Sequence, residues 1–289
     1  MTHPSAITTG ALADSMSRQD PHGVAKIGNK RRPKIGLWLV VIICALYFLF
    51  PIWAVFKFTA DLPQKGWTLK AYTDVLGESE VRSTLWLSMQ IAFWTILISL
   101  TLMLWTTLWA NLKVRKLQPL VEFISILPYM VPPIAFVVGI AGVFRPSFPG
   151  FLAHWYSLIF FYVVLAMPFT YRSLDAGLRA VDVKTLTEAS RGLGAGWLTT
   201  IMRVIVPNVR SALLGASFLT IAVVLGEYTI ASLLLKDTFA TEVAKVAQQQ
   251  LYGGPALGLL SMVAVAALFA MLGLFTRKLG GAKTTSAMA

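Results

Sequence analysis

The sequence predicts an all-α membrane protein with six transmembrane helices. Composition is the first reason: 56% of the 289 residues are hydrophobic and only 13% are charged, where soluble domains carry about 25% charged residues. The second is a series of apolar runs, each long enough to cross a hydrocarbon core of about 30 Å at about 1.5 Å per helical residue. The third is where the cations fall. A net charge of +12 on such a chain marks segments that stay on the cytoplasmic side before it marks nucleic acid.

Residues 1–34 are polar, with Lys26, Lys30, Arg31, Arg32 and Lys34 late in the stretch. They hold too little apolar content to pack and are expected to form a disordered cytoplasmic tail. The first apolar run starts only at Ile35, too late for a signal peptide of usual length. Span one is therefore Gly36–Phe56, retained. A mixed segment, 57–82, carries Asp61, Asp74, Glu78 and Glu80. Span two is Ser83–Ala110, closed by Lys113, Arg115 and Lys116. Span three, Leu117–Phe144, contains Pro128, Pro132 and Pro133, which remove backbone donors and force a bend or break. Arg145–Gly150 is a turn. Span four is Trp155–Tyr171. A polar segment, 172–208, precedes span five at Ser211–Leu235. A polar loop from Lys236 to Pro255 leads to span six, Ala256–Phe275. Arg277, Lys278 and a glycine-rich tail, 279–289, follow.

The basic residues test this count. With the N-terminus inside, the inside segments hold six, three, six and three Lys or Arg, eighteen of the 25, and the outside segments seven. Both termini and the 172–208 segment are thereby expected in the cytoplasm. No internal repeat is visible, which disfavours a secondary-transporter architecture. Cys44 is the one cysteine, so no intrachain disulfide is possible. His3, His22 and His154 are scattered, and no Cys/His cluster has metal-ligand spacing. No nucleophile sits beside a base, so an enzyme is a poor fit.

The 172–208 segment is unusual for a connection between spans. Asp182 can cap a short helix, and Thr185-x-x-Glu188 fits a capping box. Glu188, in the second turn, is free to point outward. Ala189 and Ser190 are small enough to let a partner approach the backbone. Gly192, Gly194 and Gly196 permit a sharp redirection. Trp197, Ile201, Val204 and Ile205 recur near helical spacing, as an apolar face suited to the membrane interface. Pro207 suits the first turn of span five.

These residues carry a resemblance. Glu188-Ala189-Ser190, three residues, Gly194, nine residues and Val204-Ile205-Val206-Pro207 resemble the Glu-Ala-Ala…Gly…Ile-x-Leu-Pro motif of permease subunits of binding-protein-dependent ABC importers. Ser replaces the second Ala, and Val replaces Ile and Leu. Gly196 stands where many relatives have a capping Ser. Trp67-Thr68-Leu69 with Tyr72, the proline-rich start of span three and Gly226-Glu227-Tyr228 are similar to the polyamine, iron, sulfate and aminoethylphosphonate branch. The likeness covers roughly residues 35–278.

The resemblance implies the MetI-like, type I ABC importer permease fold over 35–278, with a coupling loop at 175–208. It implies that Asp182, Glu188, Ala189, Ser190, Arg191, Gly194 and Pro207 meet a cytoplasmic ATPase subunit. That subunit binds ATP and Mg; this chain has no Gly-x-x-x-x-Gly-Lys-Ser/Thr loop and is expected to bind no cofactor. The implied partners are two ATPase subunits, a second permease, an extracytoplasmic substrate-binding protein facing 57–82 and 236–255, and membrane lipid. Nucleic acid is not among them. The implied location is a bacterial inner membrane. Glu227, with Tyr228, Pro132 and Pro133, is the candidate substrate pathway, because an acid inside a span is functional by default; packing or gating between spans is the alternative role for Glu227. A polyamine is the first substrate expectation; ferric iron, sulfate, thiamine and phosphonate are the alternatives. A stand-alone carrier or channel and a structural scaffold are the competing classes. Among the bland readings, Glu122 pairs with the 113–116 turn, and Trp53, Trp67, Trp86, Trp105, Trp109 and Trp155 form interfacial belts. Gly258, Ser261, Ala264, Ala267 and Gly273 let span six pack closely.

Overall fold

The computed structural model describes residues 35–63, 66–148 and 150–281. The tail 1–34 and most of 279–289 lie outside the described residues. The chain divides into two compact units at Phe50/Pro51. In the first, helix α1 (Ile35–Ala60) carries span one, and its side chains from Trp38 to Phe50 are exposed. A helix apolar all round meets a need for lipid rather than for water.

In the second unit, the end of α1 leads into a tight hairpin, β1 (Asp61–Leu62) and β2 (Gly66–Trp67), antiparallel with Asp61 opposite Trp67. Short helix α2 (Lys70–Gly77) follows. Helix α3 (Ser79–Leu112) is span two, four residues longer at its start than expected. Its buried face reads Thr84, Ser88, Ile91, Thr95, Ser99, Met103 and Thr107, at three- and four-residue steps. Small hydroxyl residues bring neighbouring backbones close. Several hydroxyls donate back to a carbonyl one turn earlier, as Thr84 does to Glu80 at 2.8 Å.

Span three is broken, as its prolines require. Helix α4 (Gln118–Met130) and helix α5 (Pro133–Ser147) meet at 96°. Val131 is extended, the conformation favoured before proline. Helix α6 (Ser157–Ala180) is the central post, and α3 and α9 (Arg210–Gly226) pack along it. Its buried stripe includes Leu158, Phe161, Tyr162, Ala166, Tyr171, Leu174 and Leu178. Gly177 sets the crossing with α9: a Cβ there would lie 2.4 Å from the Cβ of Ala212. Ser173 donates to the Ala212 carbonyl at 2.8 Å beside it.

Four helices, α1, α3, α6 and α12 (Gly253–Gly281), are long and apolar enough to cross a membrane. Two bent pairs, α4 with α5 and α8 (Trp197–Asn208) with α9 at 75°, bring the number to as many as six when each pair is taken as one span. This agrees with the expected six-span, all-α class. Several boundaries are corrected. Span four continues to Ala180, because Asp175 and Arg179 pair one turn apart at 2.8 Å and keep the polar turns helical. Span five ends at Gly226 rather than Leu235; Glu227 and Tyr228 break it before short helix α10 (Thr229–Leu233).

The expected loop 236–255 contains helix α11 (Phe239–Gln249), opened by a Thr238/Thr241 capping box. Its apolar face, with Phe239 and Val246, packs on Val75, Val81 and Leu257. Buried Glu242 is met by Lys245 at 3.4 Å, and Lys245 also reaches Glu80 at 3.8 Å. The Glu242 carboxylate, then Glu80, hold the Lys245 ammonium above the ordinary lysine range.

Candidate functional site

The 182–208 segment is a helix, a sharp turn and a second helix. Helix α7 (Val183–Gly192) starts after Asp182, which adopts a left-handed conformation at φ 45°. Asx residues reach this region more readily than most. Neither expected cap forms: the Asp182 carboxylate accepts from the Thr185 hydroxyl at 2.6 Å instead of from backbone N–H groups. Glu188 does not reach back to a cap. It points outward beside Lys184, 3.8 Å away, with about two thirds of its side chain exposed.

Helix α7 ends at a Schellman motif. The Ala195 N–H donates to the Ser190 carbonyl at 3.2 Å, and the Gly194 N–H to the Arg191 carbonyl at 2.9 Å. This pairing puts one residue in the left-handed region, and that residue is Gly194 at φ 85°. Gly194 is thus required by backbone geometry. Gly196 is extended at φ −70°, so any L residue fits its backbone.

Helix α8 returns under α7. It contains a π-helical stretch, Thr200–Ile205, a feature often found at functional sites. Ile201 and Ile205 are buried with Leu108, Leu178, Val183 and Val209. This corrects the expected interfacial face: these residues seat the segment on the ends of α3 and α6. Ser190 is corrected likewise. It is buried, and its hydroxyl meets that of Thr200 at 3.0 Å, so it clamps α7 to α8 rather than facing a partner. Pro207 lies in the last turn of α8, before the bend, and not in the first turn of α9. Ala189 is exposed, as expected. The Arg191 guanidinium lies over the Trp197 ring at 4.9 Å. A groove of about 530 Å³ runs along the segment, lined by Lys113, Lys184, Glu188, Arg191 and Trp197 among others.

A polar network just above the segment escaped the sequence reading. Asn111 of α3 donates to Asp175 of α6 at 2.9 Å, and Gln118 of α4 donates to Asn111 at 2.9 Å. Arg179 completes the set, 2.8 Å from Asp175 and 3.4 Å from the Gln118 side-chain oxygen. It ties three spans together where α6 enters the segment. The signal was available as four lone polar residues at span ends, but their pairing was not. Glu122 pairs with Arg172 at 3.3 Å, and among the described side chains it has no ion pair with Lys113 or Lys116.

The candidate substrate residues gather around two helix breaks. Helix α10 packs on α5 and α6, with Ile230 and Ala231 buried against Val137, Ala141 and Phe161. The Glu227 carboxylate accepts from the N–H of Ile230 at 3.0 and 3.1 Å and of Ala231 at 3.4 Å. Its first task is therefore to close the start of α10. The Tyr162 hydroxyl donates to the Glu227 backbone carbonyl at 3.4 Å. Tyr228 is partly exposed, and Pro132 begins α5 in an extended conformation. Among the described residues no group of His, Cys, Asp or Glu side chains is gathered to hold a metal ion.

Residues 103–279 match the family model described as binding-protein-dependent transport system inner membrane component. The match covers more than half of the chain, including α6 through α11 and the whole 182–208 segment. No curated protein matches the chain.

Proposed function

We propose, from the premise that the chain belongs to the family of binding-protein-dependent transport inner membrane components, that its 182–207 segment is the contact through which a separate ATPase drives it. Membership makes the chain an ABC importer permease subunit with a type I fold, and implies an ATPase and a substrate-binding protein as partners. The observation that carries the coupling reading is the two-sidedness of α7. Val183, Thr187 and Ser190 are buried, while Lys184, Glu188, Arg191 and Leu193 are exposed. One side is held by the bundle and the other is free for a partner.

Force on Glu188, Ala189, Arg191 and the Gly194 turn would pass through buried Ile201, Ile205 and Val209 into α9, and through Leu178 into α6. ATP and Mg belong to the ATPase in this scheme. The charge distribution supports a cytoplasmic position for the segment and for both termini. A second permease, similar or identical, completes the pathway in a bacterial inner membrane. For the solute we propose a polyamine, supported by the branch resemblance around Trp67-Thr68-Leu69 and Gly226-Glu227-Tyr228. Because the Glu227 carboxylate is engaged by α10, selectivity is assigned chiefly to the binding protein.

The test is the double variant Glu188→Ala/Gly194→Asp, with uptake and ATP hydrolysis measured in the reconstituted transporter. Uptake should fall at least tenfold while hydrolysis persists and the permease stays in the membrane. Wild-type uptake by the variant would overturn the assignment. Uptake without any ATPase would favour a stand-alone carrier.

A further inference from the structure

Three indoles line one slot near the C-terminal end of α3. Trp105 and Trp109 of α3 and Trp197 of α8 wall a slot of about 180 Å³. Its floor is buried Leu108 and Ile201, and Lys113 stands at its rim. Leu112, Lys113 and Trp197 also line the larger groove along α7, so the slot adjoins the groove that carries Lys184, Glu188 and Arg191.

The charges at that junction are unbalanced. Glu188 is the one acid lining the groove, and Lys184 is beside it at 3.8 Å. Among the described residues Lys113 has no ion-pair partner, and Arg191 has the Trp197 ring but no carboxylate. Two cations thus face an opening whose inner wall is aromatic.

Depth identifies the occupant. From Ser83 to Leu112, α3 carries no charged residue. At about 1.5 Å per residue this run spans about 45 Å, the thickness of a bilayer with its headgroups. Trp105 and Trp109 then fall at the hydrocarbon–headgroup boundary, where amphipathic indoles sit, and Lys113 falls at phosphate level. We propose that this is a binding site for one anionic phospholipid, its acyl chain in the tryptophan slot and its phosphate at Lys113, beside Arg191. An anionic headgroup is favoured over a zwitterionic one because it brings a net negative charge to the two cations, and a zwitterionic one brings none.

A lipid so placed touches both α3 and the Arg191–Trp197 pair. It would brace α8 against α3 and make the position of α7 depend on lipid charge. This consequence rests on the reading of the 182–207 segment as the ATPase contact; the binding itself does not.

The experiment uses the complete transporter in detergent, titrated with phosphatidylglycerol or phosphatidylcholine and read by native mass spectrometry. Wild type should retain one phosphatidylglycerol at least tenfold more tightly than phosphatidylcholine. Lys113→Ala should lose that preference, Lys113→Arg should keep it, and Trp109→Ala should weaken retention of both lipids. No preference in wild type, or an unchanged preference in Lys113→Ala, would overturn the proposal. So would retention by the free permease that vanishes when the ATPase is bound, which would make the slot part of the protein contact. In vesicles, hydrolysis coupled to uptake should rise with the phosphatidylglycerol fraction in wild type and respond less in Lys113→Ala. Lipid retention with normal transport by Glu188→Ala/Gly194→Asp would remove the coupling reading and leave the lipid site standing.

Discussion

The turn after α7 and the turn after α10 close with the same hydrogen bonds but different residues. After α7, Ala195 bonds to Ser190 and Gly194 to Arg191; after α10, Lys236 bonds to Ala231 and Leu235 to Ser232. The left-handed position is Gly194 in the first turn and Leu235, at φ 55°, in the second. They sit toward opposite ends of α6: the first closes α7, the helix that follows Ala180, while Lys236 of the second donates to the Ala153 carbonyl just before Ser157. Glycine adopts this conformation freely, whereas an L residue is disfavoured by roughly 1–2 kcal/mol. Leu235 is 90% exposed, so no burial within the chain offsets that strain. Leu193, beside Gly194, is 91% exposed without strain. Each end of the post therefore presents a bare leucine. At the α7 end the backbone is relaxed around it, and at the α10 end it is not.

Substitutions at three positions sharpen or break this comparison. The largest effect on uptake is expected at Gly194. Gly194→Val places a β-branched side chain at φ 85° and should cost about 1–2 kcal/mol, re-aim the turn and lower uptake at least tenfold. Gly194→Asn should retain most uptake, because Asn tolerates the same region. Equal uptake by the two variants, normalised to membrane level, would dissociate the turn from function. Next is Glu227, which holds α10 in place. Glu227→Ala leaves the N–H groups of Ile230 and Ala231 without their acceptor, a loss of about 1–3 kcal/mol. The melting temperature should drop, while the choice among solutes in uptake competition stays the same. A change of solute preference at unchanged stability would return Glu227 to the substrate pathway. The smallest is Leu235→Gly, which should stabilise by about 1 kcal/mol by relieving the strained cap. A thermal melt checks it: a lowered melting temperature would mean that the leucine makes a stabilising contact after all.

The α7 turn was more legible than the α10 turn for a physical reason. Gly194 lies in a motif whose spacing reports backbone need, so glycine at that position carries its own explanation. Leu235 looks like the end of an apolar span, and nothing in Leu233-Leu234-Leu235 announces a helix end. Only the break at Glu227, stabilised by its carboxylate across the start of α10, makes Leu235 a cap. Ser190 taught the converse. Its smallness suggested an exposed contact, but the returning α8 buries it against Thr200.

The sequence by itself determined the class, the apolar runs and the segment to watch. Apolar runs of bilayer length, prolines before α5 and the asymmetric cations are local properties, and local properties survive in any tertiary arrangement. The tertiary structure decided direction and partnership: which face of α7 is free, that Ile201 and Ile205 are seated inward, and that Glu122 chooses Arg172. It also joined Asn111, Asp175, Gln118 and Arg179 into one network. Such pairings depend on how helices distant in sequence cross, which a glycine at position 177 sets for α6 and α9.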